Sequence, residues 1–374
     1  MIERKACHRP RCNDEEVEIL RKYRELKQKL HDTNSADGID VACDISEIST
    51  KDCKHGWLKT DFASLFFKNP KYQEPNIDID KIDWKQIISA VDDIKPYEVI
   101  PTQSNYSGIF DRLVYTDVHI GMKILANSQY GGKWDDKTLM RYLKQMIIFV
   151  KNNSDANTII VDDLGDFMDG MGGKTVRKQH DLPQNMSDQE AFDCGLKFKL
   201  VLARALSGWY EHVIFHNICD DNHSGAFGYM VNSAFAAVAQ EMFKNVEVTN
   251  YLQFVNHYTF KDNVFILCHG KDGKNMKFGF RPHITDKGIE KINYYIDLHY
   301  LRQPNGRIEF SKGDSHVELV DKAKPGRFEY WNYPAFCPAS DWVQTNYTPK
   351  DHGFIFFNYI ATNRYKLMPY YFNQ

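Results

Sequence analysis

From Arg112 onward, short apolar runs alternate with longer stretches whose apolar residues recur every three or four positions. The runs Leu113–Thr116, Thr158–Val161, His212–Phe215 and Val264–Leu267 are bounded by polar residues or glycine and predict buried strands. Between them, Lys137–Lys151 places Leu139, Tyr142, Leu143, Met146 and Ile147 on one face of a helix. Asp188–Tyr210 and Phe227–Phe243 predict two more helices, and Val246–Val248 a short strand. His257–Phe260 and Val264–Leu267 flank Lys261-Asp262-Asn263 and predict a hairpin. Arg307–Tyr330 and Gly353–Ile360 are again strand-rich. Strands alternating with helices imply an α/β layered fold, with strands added at the C-terminal end.

Residues 1–108 carry a different pattern. Asp14–Leu30 has Val17, Leu20, Tyr23 and Leu26 at helical spacing, and Asp80–Asp93 has Ile82, Trp84, Ile87, Ile88 and Val91. The expectation is a mostly helical N-terminal extension over 1–108, followed by the α/β domain over 109–374. Trp57–Phe67 is a compact aromatic-rich stretch within it. Cys7, His8, Cys12, Cys43, Cys53 and His55 lie there too, at spacings that match no zinc finger.

Composition narrows the class. The chain has 374 residues, 43% of them hydrophobic, enough for a large core. A net charge of −3 gives no overall basic excess, so contact with nucleic acid must come from a local patch. No apolar run approaches the roughly 20 residues of a membrane span, and the start of the sequence lacks the apolar segment of a secretory signal. Eight irregularly spaced cysteines read as thiols in a reducing compartment, so the expected location is cytoplasmic.

The apolar runs end in chemistry. The first leads into Asp117-Val118-His119, the second into Gly165-Asp166-Phe167-Met168-Asp169, and the third into Asn222-His223. The hairpin strand ends at His269-Gly270, and a later turn reads Gly313-Asp314-Ser315-His316. Ligands in open α/β sheets gather beyond the carboxyl ends of strands, where such loops meet. Alternation along an extended strand puts Asp117 and His119 on one side. A two-metal hydrolase needs several N and O donors and a carboxylate that bridges ions roughly 3.5–4 Å apart. The glycines let the backbone turn sharply beside them.

In that order, these motifs resemble the calcineurin-like metallophosphoesterase superfamily over roughly Leu113 to His316. The resemblance implies a β-sandwich flanked by helices. It implies one metal on Asp117, His119 and His316, a second on Asn222, His269 and Asp314, and Asp166 between them. His223 would serve as general acid or electrostatic stabiliser, Asp169 would support the site, and a metal-bound hydroxide would be the nucleophile. The family's last motif has His where Asp314 stands, which tilts preference towards Mn²⁺ or Mg²⁺ over Fe or Zn²⁺. The family's third motif carries an acid after the histidine; here Ser224 follows His223, so Asp220 or Asp221 is the expected orienting acid.

The substrate follows from loops. The basic insertion 171–186, with Lys174 and Arg177, is expected to overhang the site, and Lys271 follows the histidine motif. With the long tail after the last motif, this looks most like the SbcD-type DNA-repair nucleases. The leading expectation is therefore a phosphodiesterase acting on nucleic acid, with room for a homodimer or an ATPase partner. The alternatives are a phosphatase or small-molecule phosphodiesterase, and a non-catalytic metal-binding scaffold. The aromatic-rich tail, Phe328–Tyr333 and Ser340-Asp341-Trp342, is assigned to core and edge packing, with stacking on unpaired bases as the alternative.

Overall fold

A computed structural model describes residues 18, 21, 22, 24, 25, 55–60, 63–68, 108–125, 128, 132–177, 179–270, 281–302, 306–346 and 351–372. The chain divides into two units, Met1–Asp83 and Trp84–Gln374, whereas the sequence pattern sets the boundary at 108.

In the first unit, positions 18, 21, 22, 24 and 25 are helical, with Arg21 between Glu18 and Glu25 on one exposed face. Strands β1 (His55–Thr60) and β2 (Ala63–Lys68) form an antiparallel hairpin in which Thr60 faces Ala63. The hairpin falls in the aromatic-rich stretch that the sequence singles out at 57–67. The stretch is rich in Trp, Phe and Leu around a tight reversal, and such residues favour a pleated surface. The expected helix at 80–93 and the cysteines at 7, 12, 43 and 53 lie outside the described residues.

The second unit is a sandwich of two sheets with helices on both outer faces. The six-stranded sheet has the order β13-β12-β3-β4-β5-β6. Its parallel core is β3 (Phe110–Tyr115), β4 (Thr158–Asp163), β5 (His212–Ile218) and β6 (Val246–Tyr251). Strand β12 (Gly353–Ala361) adds antiparallel to β3, and β13 (Arg364–Tyr371) closes that edge. The five-stranded sheet runs β10-β11-β9-β8-β7. It comprises β7 (Val255–Phe260), β8 (Asn263–Cys268), β9 (Ile308–Lys312), β10 (Leu319–Asp321) and β11 (Glu329–Asn332). Lys261 and Asp262 both have positive φ, as a two-residue hairpin turn between β7 and β8 requires.

Alternation within each strand sorts the core into layers. On β3, Leu113 and Tyr115 face α1 (Asp136–Asn153), α2 (Asp188–Ser207) and α3 (Ala226–Met242). Phe110 and Val114 face the other sheet, meeting Phe265, Leu267 and Trp331. The outer face of the second sheet packs Ile266 and Phe310 on Ile292 and Ile296 of α4 (Asp286–Leu298). This is the helix-flanked sandwich that the resemblance implies. Arg112 lies in the middle layer, fully buried, with its guanidinium 2.6 Å from both Asp162 and Glu309. It also stacks on the Phe265 ring. One charged network therefore ties the two sheets together.

Candidate metal centre

The ends of β3, β4, β8 and β9 converge, and their backbones are knitted before any side chain is considered. Asp117 donates its N–H to the Gly165 carbonyl, and His119 to that of Asp166. Gly313 donates to the His269 carbonyl at 2.7 Å, and the Asp314 N–H donates to Asp117 Oδ2 at 3.0 Å. Phe336 and Cys337, beyond β11, donate to the carbonyls of Thr116 and Asp117.

The local geometry differs from simple alternation. Strand β3 ends at Tyr115, and Asp117 and His119 adopt φ of 53° and 48°. They reach one centre because the chain coils in the left-handed region there, and not because an extended strand presents them. Asp166, Asp314 and His316 share this conformation, with φ of 47°, 66° and 53°. Asp and His are among the residues that tolerate it best.

The side chains then meet. His316 Nε2 lies 3.3 Å from Asp117 Oδ1, and His119 Nε2 lies 3.7 Å from the same oxygen. Asp166 Oδ2 is 3.8 Å from both His119 Nε2 and His223 Nε2, and 3.0 Å from His269 Nε2. His269 Nε2 is also 3.9 Å from Asp314 Oδ1. Ligand atoms of Asp117, His119 and His316 lie within 4.8 Å of one another; so do those of Asp117, Asp166 and His269, and those of His119, Asp166 and His223.

Six buried atoms here make no hydrogen bond: Asp117 Oδ1, His119 Nε2, Asn222 Oδ1, His269 Nε2, Asp314 Oδ2 and His316 Nδ1. Buried polar atoms without partners are rare and need a reason. The donors are carboxylate oxygens, imidazole nitrogens and one carboxamide oxygen, with no thiolate. That set suits Mn²⁺, Mg²⁺, Fe or Zn²⁺ and fits the two-cation site that the resemblance implies.

Supporting contacts hold the donors in place. Asp169 Oδ1 lies 2.9 Å from His119 Nδ1 and 3.2 Å from His223 Nδ1, so one carboxylate turns the Nε2 of both rings inward. His269 Nδ1 is 3.0 Å from the Leu164 carbonyl. The acid against the His223 ring is thus Asp169, where the sequence suggested Asp220 or Asp221. Asp221 instead accepts from the N–H groups of Asp166, His223, Ser224 and Gly225, and so holds the loop that carries Asn222 and His223.

Burial opposes charge on these groups, and their neighbours decide the outcome. His316 and His119 hold the Asp117 carboxyl well below its usual range despite burial. Burial works against the His269 imidazolium, yet Asp166, with Asp117 and Asp314, raises it to about 10. Burial and the Asp166 carboxylate together push Asp221 up to about 6. Ligation at such a site releases protons.

A cavity of about 640 Å³ opens beside the cluster, and His119, Asp166, Asn222, His223, Asp314 and His316 line it. Arg177 lines it as well. The insertion rests on the third motif, because Val176 and Arg177 donate to the carbonyls of His223 and Asn222. Lys174 does not reach the cavity lining and pairs with Asp181. Lys271 lies outside the described residues. Trp342, assigned to packing from the sequence, is 55% exposed and lines the cavity from α5 (Asp341–Asn346). Ser340-Asp341 is a helix-start signal that the apolar pattern alone does not show.

No protein-family model matches the sequence, and neither does any curated protein. Two solved structures are similar at the level of chain trace. A dimetal phosphatase from Danio rerio has 9% identity and a TM-score of 0.37, covering 70% of this chain and 96% of its own. A candidate 5'-nucleotidase from Staphylococcus aureus has 10% identity and a TM-score of 0.30, covering 71% and 55%. Scores this low carry no argument; fold and chemistry rest on the geometry above. Nothing in these likenesses supports the nuclease branch.

Proposed function

We propose that this chain hydrolyses phosphoesters at a two-cation centre. The observation that carries the reading is the convergence of Asp117, His119, Asp166, His223, His269 and His316, whose ligand atoms fall in three overlapping groups, each within 4.8 Å. Asp117, His119 and His316 would hold one ion, and Asn222, His269 and Asp314 the other, with Asp166 between them. Bound divalent cations supply Lewis acidity, a more acidic water and a clamp for phosphoryl oxygens.

The protein's own part is positional. Asp169 fixes the His223 ring by its Nδ1 and leaves Nε2 towards the cavity. His223 is the most exposed imidazole of the cluster, at 21% of its side chain, and so is placed to give a proton to a leaving oxygen. His119, turned by the same carboxylate, is held for ligation.

The cavity favours a small ester over a nucleic-acid strand. Among the described residues its lining carries the cations Lys123 and Arg177 and the acids Asp181 and Asp341, of which Asp181 is paired with Lys174. A groove that tracks a polyanion needs a cationic excess. Its volume falls in the range of small-molecule pockets. Nucleic acid stays as the second reading, on the strength of Arg177 at the rim.

The test is hydrolysis of p-nitrophenyl phosphate, bis-p-nitrophenyl phosphate and labelled single- and double-stranded DNA in Mn²⁺, with His223→Ala alongside. Turnover of the small esters, lost in His223→Ala, is expected. Efficient DNA cleavage would move the assignment to the nuclease. Two ions bound without turnover of any substrate would leave a metal-binding scaffold.

A further inference from the structure

We propose that the cavity takes a phosphoester bearing a planar aromatic group, which stacks on Trp342 while its phosphate lies at the metal centre. The proposal rests on the phosphoesterase reading and adds the substrate class.

Trp342 and the candidate ligands His223, Asp314 and His316 line one cavity. Trp342 is 55% exposed as a residue, whereas the next residue, Val343, is 6% exposed and roots α5 in the protein. The Val343 N–H donates to Ser340 Oγ at 3.3 Å. A few residues earlier, Phe336 and Cys337 are bonded to the carbonyls of Thr116 and Asp117. The segment that carries the indole is thus fastened, a few residues before it, to the ligand-bearing end of β3.

Further wall is apolar: Met122, Leu125 and Leu182 line the same cavity, and Leu125 is 43% exposed. A phosphate alone gains nothing from such a surface. An ester whose organic part is a flat ring buries apolar area and stacks on the indole. A nucleobase and a simple aryl group share this chemistry.

The experiment uses the full chain loaded with Mn²⁺. Hydrolysis of phenyl phosphate, adenosine 5'-monophosphate and uridine 5'-monophosphate is compared with that of glycerol phosphate and ribose 5-phosphate. Calorimetry compares phenylphosphonate with methylphosphonate. The aromatic esters are expected to lead by about ten-fold in kcat/KM, carried by KM, in keeping with the worth of one ring stack. Trp342→Ala should remove that lead, and Trp342→Phe should keep most of it. A nucleotide ahead of phenyl phosphate assigns the ring to a base, and the reverse assigns it to an aryl ester. Equal turnover of aromatic and aliphatic esters, or a Trp342→Ala variant with the parent's preference, overturns the inference and leaves the phosphoesterase standing. Trp342-dependent binding of phenylphosphonate with no ester hydrolysed would instead overturn the phosphoesterase reading and keep the aromatic site.

Discussion

Asp117, His119, Asp166, Asp314 and His316 all hold left-handed backbone angles, at roughly 1–2 kcal/mol each for a non-glycine residue. The residue types were legible, because an acid or a histidine stands just past each apolar run. Their backbone state was not, since nothing in a motif's letters shows that the strand has already ended. Asp169 was legible as a supporting residue, but its hold on two rings at once needed the structure. We expect Asp169→Asn to lower metal affinity or turnover by about 10–100-fold with the fold retained, checked by metal titration and circular dichroism. Asp314, whose carboxyl burial pushes up, sits among other acids. Asp314→Asn keeps a residue that accepts its backbone angle, and should raise the melting temperature in chelator while abolishing turnover. Away from the site, burial pushes His352 down to about 4. The folded chain keeps that ring neutral, while the unfolded chain takes up a proton below about pH 6.5. Stability from this group is therefore complete above pH 6.5 and is lost as pH falls to 4, by up to about 3 kcal/mol. His352→Phe, which keeps a ring against Tyr142 and Phe372, should flatten that part of the acid limb in urea unfolding at pH 7, 5.5 and 4.

Elements were read from the sequence where one face is strongly apolar. Helix α1 buries the predicted Leu139, Tyr142, Leu143, Met146 and Ile147, and β4 is buried along its whole length. Helix α4 escaped because few of its residues are buried, Ile292 and Ile296 among them. Strand β13 escaped for a related reason: no residue of it is fully buried, and Lys366 and Pro369 give it the character of a protected edge. The join between β9 and β3 is where element packing meets the site. A Cβ on Gly313 would stand 2.1 Å from Thr116 Oγ1 and 2.7 Å from Asp117 Oδ2. Gly313→Ala should therefore pry the two strand ends apart. We expect loss of metal binding by calorimetry, well beyond any loss in thermal stability.

At the scale of the molecule, two sheets are joined through Arg112, Asp162 and Glu309, in a buried network that also takes in Arg307, Ser311 and His216. Arg112→Met would strand two buried carboxylates, and a loss of about 3–5 kcal/mol is expected in denaturant unfolding. Layering was legible from strand–helix alternation. This charged tie was not, because an arginine in a strand pattern reads as a solvent-facing residue until the opposite sheet is known. The place of β3 has a consequence in time. It is an early strand of its sheet to be made, yet one flank is covered only by β12, whose Asn358 bonds Asp111 at a separation of 247 residues. A growing chain that has just released His316 from the ribosome already holds every candidate ligand, but β3 still has an open edge. The metal centre can mature only after β12 emerges, so a stalled or clipped chain would display sticky strand edge and no working site.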